Sequence, residues 1–249
     1  MQLRSFFICS MIFIGCSFFY KTVSAENLFI QIRLDNPTIR ALQQTIEPLI
    51  NTIIQEELKV ERGCDYPRFL LKGRQDISLY YVIDLKPDLD SHIVGALDEM
   101  QHKNKGTNAP KDSALSLRTD FFGDKDELVM LLDDPHQELT ALHKDIKQFA
   151  HKAQMQYQAK YSQDLYDVIK SERYPFKPHI SLGRLQGDSI KKMVCGADNA
   201  DQVLQRIKER IHNEVMPTAI APLDKRLQPT YFVIFNETKK QVSKTYPLK

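Results

Sequence analysis

The 249-residue sequence has no marked excess of charge and no apolar run long enough to span a membrane. Its 34 basic and 32 acidic residues nearly balance. They would balance fully without residues 1–25, which contain Arg4 and Lys21 and no acidic residue. A protein without net positive charge has no general attraction for long nucleic acid duplexes, so long duplexes are not expected as partners. Any phosphate-bearing ligand would be small, or a chain end held in a local basic cleft.

Cysteine is scarce as well. Cys9 and Cys16 lie in the N-terminal segment, which leaves Cys64 and Cys195 in the remainder of the chain. No second Cys or His lies at ligand spacing from either of these two, so the sequence does not predict a zinc-type metal site. In an oxidising compartment the pair can form one disulfide, and two buried free thiols are the alternative.

The N-terminal segment has the composition of an export signal. Arg4 precedes an uncharged, almost wholly apolar run from Ser5 to Tyr20, and Val23-Ser24-Ala25 follows as a cleavage site of the A-x-A-like type. This combination is typical of a secretory signal peptide. The run is shorter than the roughly 20 residues of a membrane-spanning helix. We therefore predict cleavage after Ala25, a periplasmic or secreted protein, and one domain over residues 26–249; a retained N-terminal anchor is the alternative.

The rest of the chain shows strand and helix patterns in two similar halves, without low-complexity tracts or short repeats. Each half gives a strand, a helix, and then a strand that carries a polar residue two positions before a serine. The predicted strands cover residues 28–34, 76–85, 114–122, 127–132, 174–185 and 230–236; the predicted helices run from 37 to a break at 63–67, and over 89–102, 135–161 and 198–215. This order favours an α+β fold of two antiparallel sheets side by side, with outer helices and a central groove.

The most informative stretch is Phe176–Leu182 (FKPHISL). Residues two apart in a strand point to the same face, so His179 and Ser181 would face one side while Ile180 and Leu182 pack into the core. An imidazole can move protons at neutral pH, and a hydroxyl can donate a hydrogen bond to a phosphate oxygen. Taken alone, a pair of this kind is more often an ordinary surface feature of a strand.

A similar four-residue sequence in the first half of the chain makes the pair of His179 and Ser181 informative. Asp76–Leu79 (DISL) repeats the hydrophobic, serine and leucine positions of His179–Leu182 (HISL). Together the two steps resemble the paired His-hydrophobic-Ser/Thr-hydrophobic signatures of the 2H phosphoesterase superfamily, which includes 2′-5′ RNA ligases and cyclic phosphodiesterases. The second signature matches fully, including Pro178. The first departs from the family pattern because Asp76 stands in the place of the histidine.

The resemblance implies a two-lobed fold in which two histidines flank a phosphodiester. One histidine takes a proton from the attacking oxygen, the other gives a proton to the leaving oxygen, and two hydroxyls hold the phosphoryl oxygens without a metal or other cofactor. Carried over to this sequence, His179, Ser181 and Ser78 keep these roles. The implied substrate is a 2′,3′-cyclic or 2′-5′ phosphodiester of a nucleotide or RNA end, and we expect the protein to act as a monomer.

Asp76 leaves two hypotheses open. An ordinary aspartate has a pKa near 3.9 and is ionised at neutral pH, so it can accept a proton but not donate one. In the first hypothesis the site is active, with Asp76 as general base and His179 as general acid. In the second the protein is a catalytically degenerate module that binds a nucleotide or RNA end. A third interpretation, in which the strand of His179 is an ordinary core strand of an unrelated exported protein, can be tested by geometry.

Three further residues are predicted to bind substrate. Tyr80 continues the alternation of Asp76 and Ser78 and is expected to stack on a base, with packing in the core as the alternative, whereas Tyr81 is expected in the core. Phe176 and Arg184 flank the second motif.

A regular strand would turn Arg184 away from the face of His179 and Ser181, which weakens its predicted role. The other histidines, among them His143, occupy polar loop or helix-face positions and are expected to be solvated.

Overall fold

The structure is a computed structural model that describes residues 26–34, 37–61, 63–86, 88–103, 108, 110, 114–123, 126–161, 176–194, 199–221, 229 and 231–248. The predicted signal peptide, residues 1–25, and Cys195 lie outside the described residues, and Cys64 is exposed. None of the helices in these ranges combines the length and the apolar character needed to cross a bilayer.

Two four-stranded antiparallel sheets form the frame of the molecule, which confirms the predicted α+β class. The strands are β1 (Glu26–Arg33), β2 (Leu70–Leu71), β3 (Asp76–Leu85), β4 (Ala114–Phe122), β5 (Glu127–Asp133), β6 (His179–Arg184), β7 (Tyr231–Asn236) and β8 (Gln241–Pro247). The helices are α1 (Pro37–Glu57), α2 (Leu89–Lys103), α3 (Glu138–Tyr161), α4 (Gly187–Met193), α5 (Ala200–Arg210) and α6 (Met216–Ile220), with a π-helical segment, Ile211–Val215, between the last two.

The sheets do not follow the two halves of the chain. The first sheet has the order β3-β1-β7-β8, so the last two strands complete the sheet that the first strands begin. The second sheet has the order β2-β6-β5-β4, and its short strand β2 comes from the first half. As a result β3 lies at the edge of the first sheet, and β6 is bordered by β2 only at Gly183 and Arg184.

Apolar residues at helical and strand spacing build the core. The buried side of α1 includes Ile39, Ile46 and Ile50, which recur at the spacing of one helix face. The helices α2 and α3 pack together, and α3 lies against β3. Ile30 and Ile180, from the central strands of the two sheets, are completely buried. The edge strand β3 of the first sheet lies against β6, an inner strand of the second sheet.

The third helix begins later than its apolar pattern predicts. It was expected from residue 135, but Gln137 has a φ of 56°, which a helix cannot include. The carboxylate of Asp134 accepts hydrogen bonds from the backbone N–H groups of Leu139 and Thr140, at 3.1 and 2.9 Å. Asp134 thus satisfies the free N–H groups of the first turn, and the helix starts at Glu138.

Three elements, β2, α4 and β8, were not predicted from the sequence, and one predicted helix is divided. The chain has α4 between residues 187 and 193, and β8 follows the strand that was expected to close the fold. Six of the seven residues of β8, all except Tyr246, are exposed, so this strand lacks the apolar alternation that reveals a strand. The predicted helix 198–215 is divided into α5 and the π-helical segment, and α6 extends it to Ile220.

Candidate active site

The strands that carry the two motifs lie next to each other across the two sheets. A buried glutamine of α1, Gln43, joins them at one end. Its Nε2 donates hydrogen bonds of 2.9 Å to the carbonyl oxygens of Leu182 and Lys72. Its Oε1 accepts a hydrogen bond of 3.3 Å from Gln75, the residue before Asp76. The start of β3 is thereby fixed beside the end of the second motif.

His143 of α3 links the other ends of the two motifs. Its Nδ1 lies 2.5 Å from the carbonyl oxygen of Leu79, and its ring stacks on Phe176 at 4.2 Å with an interplanar angle of 2°. With the link through Gln43, this contact shows that the motif segments run in opposite directions alongside each other. The expectation that His143 is solvated was wrong, because it is half-buried, and burial lowers the pKa of its imidazole.

The two motifs have the same burial pattern. In β3, Asp76 and Ser78 are partly exposed, whereas Ile77 and Leu79 are buried. In β6, the side chains of residues 179 and 181 are partly exposed and those of residues 180 and 182 are completely buried. The predicted division of each motif into a core face and an open face agrees with this pattern. It argues against the interpretation of the second motif as an ordinary core strand.

A β-bulge in β3 overturns the prediction for Tyr80. Ser78 pairs with Gln31 of β1, and Tyr80 pairs with the adjacent residue Ile30. Leu79 is therefore an extra residue without a partner, and it shifts the alternation of β3. Tyr80 is therefore only 4% exposed, and its hydroxyl accepts a hydrogen bond from Gln154. It belongs to the core and cannot stack on a ligand in the groove. Tyr81, expected in the core, is 37% exposed and returns to the open face.

The second motif has its bulge at the corresponding position. Ser181 pairs with Val129 of β5, and Gly183 pairs with the adjacent residue Leu128, so Leu182 is the extra residue. Leu182 and Gly183 are both buried, and Arg184 is exposed. Arg184 thus returns to the face of His179, whereas a regular strand would have turned it away. The irregularity strengthens the prediction that Arg184 contacts substrate.

Only glycine fits at position 183. A Cβ atom there would lie 2.4 Å from the ring of Phe69 and 2.6 Å from the carbonyl oxygen of Leu70. The absence of a side chain at position 183 lets β2 approach β6. Lys72, the residue after β2, then lies beside β6, and its N–H donates a hydrogen bond to the carbonyl oxygen of Leu182. Gly183 therefore supports the charge arrangement of the site as well as the bulge.

Asp76 is an unusual carboxyl group. Burial raises its pKa to about 6, although Lys72, Arg33 and Arg74 act to lower it; Glu127 raises it further. This value corrects the expectation of an ordinary aspartate. At pH 7 the group is still about 90% ionised, but it takes up a proton near pH 6, in the range of a histidine.

The charges around Asp76 come from both sheets. Arg33 lies opposite Asp76 on β1, whereas Glu127 begins β5 of the second sheet. The Nζ atom of Lys72 lies 3.7 Å from the carboxylate of Glu127. Because these groups act on one carboxyl group, the open faces of the two sheets meet around Asp76. Three cations and two acids make this a mixed, locally basic cluster of charges in a protein of nearly balanced charge.

The imidazole of His179 is fixed by its own strand. Its Nδ1 lies 2.7 Å from the carbonyl oxygen of Lys177, which can only accept, so Nδ1 carries the proton and donates. The ring also meets the edge of the Phe122 ring at 4.8 Å. Nε2 is therefore the nitrogen left to exchange a proton with a ligand.

The substrate contact of Phe176 stays a prediction, and two residues on the open face, Gln31 and Arg33, were not predicted from the sequence. One face of the Phe176 ring is covered by His143, so only the other face could meet a substrate, and that role stays a prediction. Gln31 and Arg33 of β1 share the open face of β3 but were not singled out. Their alternation with core-facing isoleucines in the first strand was the signal that could have found them.

Comparison with known proteins finds the fold only through solved structures. No family model matches the sequence, and no curated protein matches it. Usb1 of Kluyveromyces marxianus with uridine monophosphate aligns at a TM-score of 0.51 and 15% identity, over 91% of this chain and 100% of that one. TT0787 of Thermus thermophilus has a TM-score of 0.46 with 14% identity over 89% and 97% of the chains. LigT of E. coli with 3′-AMP has a TM-score of 0.41 with 12% identity over 90% and 95%. The likeness to Usb1 shows that this chain has the fold of the 2H phosphoesterases.

Proposed function

We propose that this protein is a 2H-type phosphoesterase in which Asp76 takes the place of the first histidine. Its substrate is a 2′,3′-cyclic or 2′-5′ phosphodiester of a nucleotide or RNA end. The observation that carries the proposal is the repetition of one arrangement on two apposed strands, with the same motif, the same burial and the same bulge. The uridine monophosphate in the Usb1 structure supports a nucleotide ligand for this fold.

The proposed reaction needs one base and one acid. The carboxylate of Asp76 takes a proton from a water molecule, whose oxygen forms a bond to phosphorus as the bond to the leaving ribose oxygen breaks. The protonated Nε2 of His179 gives its proton to that leaving oxygen. The hydroxyls of Ser78 and Ser181 donate to the non-bridging oxygens. Water is consumed, a phosphomonoester is formed, and proton exchange with solvent restores the two groups.

The cations around Asp76 make a carboxylate usable beside a phosphate. Two negative charges about 4 Å apart repel by roughly 4 kcal/mol at an effective dielectric constant of about 20. Lys72, Arg33 and Arg74 all stabilise negative charge at Asp76, and they would do the same for a bound phosphate. Burial acts in the opposite direction and keeps the pKa of Asp76 near that of a histidine. The site can therefore bind an anion and still contain a base.

Turnover of 2′,3′-cyclic nucleotides tests the proposal. The full chain without residues 1–25 is incubated with each of the four cyclic nucleotides, and the phosphomonoester product is separated by chromatography. Formation of a phosphomonoester is the expected result. Binding of nucleoside monophosphates without any turnover would favour the degenerate binding module instead, a hypothesis motivated by the carboxylate at position 76. A protein that neither binds nor cleaves would contradict both.

Tyr81 is the aromatic residue that we expect to stack on the base. It lies on the open face of β3, with its ring centroid 6.3 Å from that of Phe29. Stacking of a base on an aromatic ring contributes about 1–3 kcal/mol, so Tyr81→Ala should weaken uridine 3′-monophosphate binding roughly 10-fold or more, as measured by calorimetry. Ribose 5-phosphate, which has no base, should bind equally to both proteins.

Tyr161→Ala provides the matched control, because Tyr161 is a comparably exposed tyrosine at the end of α3. It should leave nucleotide affinity unchanged. If Tyr81→Ala weakens ribose 5-phosphate as much as the nucleotide, the loss is not one of stacking and the assignment is wrong.

We also propose export with removal of residues 1–25. The described strand β1, Glu26–Arg33, lies after the predicted cleavage point, so cleavage removes none of it. Expression of the full chain in a secreting bacterial host should give an exported protein whose intact mass corresponds to a start at Glu26. A full-length chain that stays with the membrane would show that the segment is a retained anchor.

A further inference from the structure

We infer that Gln31 donates a hydrogen bond to a phosphoryl oxygen of the substrate and so completes the phosphate site. This inference rests on the proposed function and adds a binding residue to it. Gln31 is 3% exposed, in the middle of β1. Its Nε2 is buried and has no hydrogen-bond partner in the described part of the chain. A buried donor without a partner destabilises the folded protein, so its retention calls for a ligand.

The register places Gln31 beside the first motif. It pairs with Ser78 in the ladder between β1 and β3, and residues paired across antiparallel strands share a face. Its neighbours Ile30 and Ile32 are completely buried on the opposite face. The Gln31 side chain is thus buried on the side of the sheet that carries Asp76 and Ser78, next to the hydroxyl that is proposed to hold the phosphoryl group.

A second unsatisfied donor follows at the next position on the same face. Arg33 pairs with Asp76, and its buried Nε also lacks a hydrogen-bond partner among the described residues. Two donors on one strand, each opposite a proposed site residue on the next strand, form a row along β1. The ligand that suits this row has several acceptor oxygens and negative charge, as a phosphoryl group does.

The amide of Gln31 also fits the chemistry of an aspartate site. An ionised Asp76 can only accept hydrogen bonds and repels a phosphate oxygen. A neutral N–H beside Ser78 can donate to the phosphoryl oxygens on the side of the base, where the family signature has a histidine in place of Asp76. Cross-strand Cβ atoms lie about 5 Å apart, so the two donors can reach oxygens of one phosphoryl group.

The test compares Gln31→Leu with Gln154→Leu. Gln154 is also 3% exposed, but its Nε2 donates to the hydroxyl of Tyr80 on the core side of the sheet. In Gln31→Leu we expect the Kd for uridine 3′-monophosphate to rise about 10-fold. The midpoint of urea denaturation should rise as well, because an unpaired buried donor is removed. In Gln154→Leu we expect the opposite pattern, a lower midpoint and an unchanged Kd.

Gln31→Glu refines the test with nearly unchanged side-chain size. It replaces the donor by an anionic acceptor and should weaken nucleotide binding more than Gln31→Leu does. Wild-type affinity in Gln31→Leu, or a lower midpoint of denaturation, would overturn the inference while leaving the proposed function intact. A wild-type protein that neither binds uridine 3′-monophosphate nor cleaves cyclic nucleotides would overturn both.

Discussion

Asp76→Asn is expected to abolish turnover and, at neutral pH, to make the folded protein more stable. Asparagine has nearly the same shape as aspartate but cannot take a proton from the attacking water. General base catalysis typically contributes about 10²–10⁴-fold, so kcat for a 2′,3′-cyclic nucleotide should fall by at least roughly a hundredfold. Binding of uridine 3′-monophosphate should be kept or become tighter, because the substitution removes a negative charge beside the phosphate.

The gain in stability follows from the direction of the pKa shift. The pKa of Asp76 is about 6 in the folded protein against an ordinary value of 3.8, so the folded state holds the proton more tightly. The favourable contribution of the protonated group is fully present below about pH 4 and is lost as the pH rises through 6. Above that, ionised Asp76 lowers the free energy of unfolding by about 3 kcal/mol, and asparagine removes this loss.

Urea denaturation at pH 7.5 and pH 4.5 measures the effect. The difference in unfolding free energy between Asp76→Asn and wild type should be largest at pH 7.5 and shrink clearly at pH 4.5. Asp145→Asn, at an exposed position of α3, is the control and should change neither turnover nor stability. Unchanged turnover in Asp76→Asn would exclude Asp76 as the base, and Asp76→His, which restores the second imidazole of the family pattern, should then be no less active.

His179→Gln should lower kcat about a thousandfold and change KM little, because the leaving oxygen loses its proton donor while the phosphate contacts remain. In this variant the pH dependence of the rate is set by the ionisation of Asp76. In both the wild type and His179→Gln, kcat/KM should rise through about pH 6, where Asp76 loses its proton and becomes a base.

His102→Gln is the control for this substitution, since His102 is exposed near the end of α2. Its pH profile and turnover should match the wild type. Wild-type turnover in His179→Gln would assign the acid to another group, and a pH profile without a rise near 6 would show that the ionisation of Asp76 does not control the rate.

The local pattern of the sequence was enough to place both motifs on strands and to divide their faces. Ile77 and Ile180 point into the core and Ser78 and Ser181 do not, because strand alternation depends only on neighbouring residues. The same local pattern failed one residue further on. Tyr80 is buried and Tyr81 exposed because a bulge breaks the alternation, and a bulge depends on the partner strand.

What the sequence alone determined is the α+β class, the two motif strands and the set of side chains that can move protons or hold a phosphate, since each follows from short-range periodicity and residue chemistry. Tertiary structure decided which strands border these motifs, where the bulges fall, that Gln31 and Arg33 join the open face, and that Asp76 has a pKa of about 6. These properties arise from packing between segments far apart in the chain, such as the burial of Asp76 amid charges from both sheets. No pattern within a single strand carries that information.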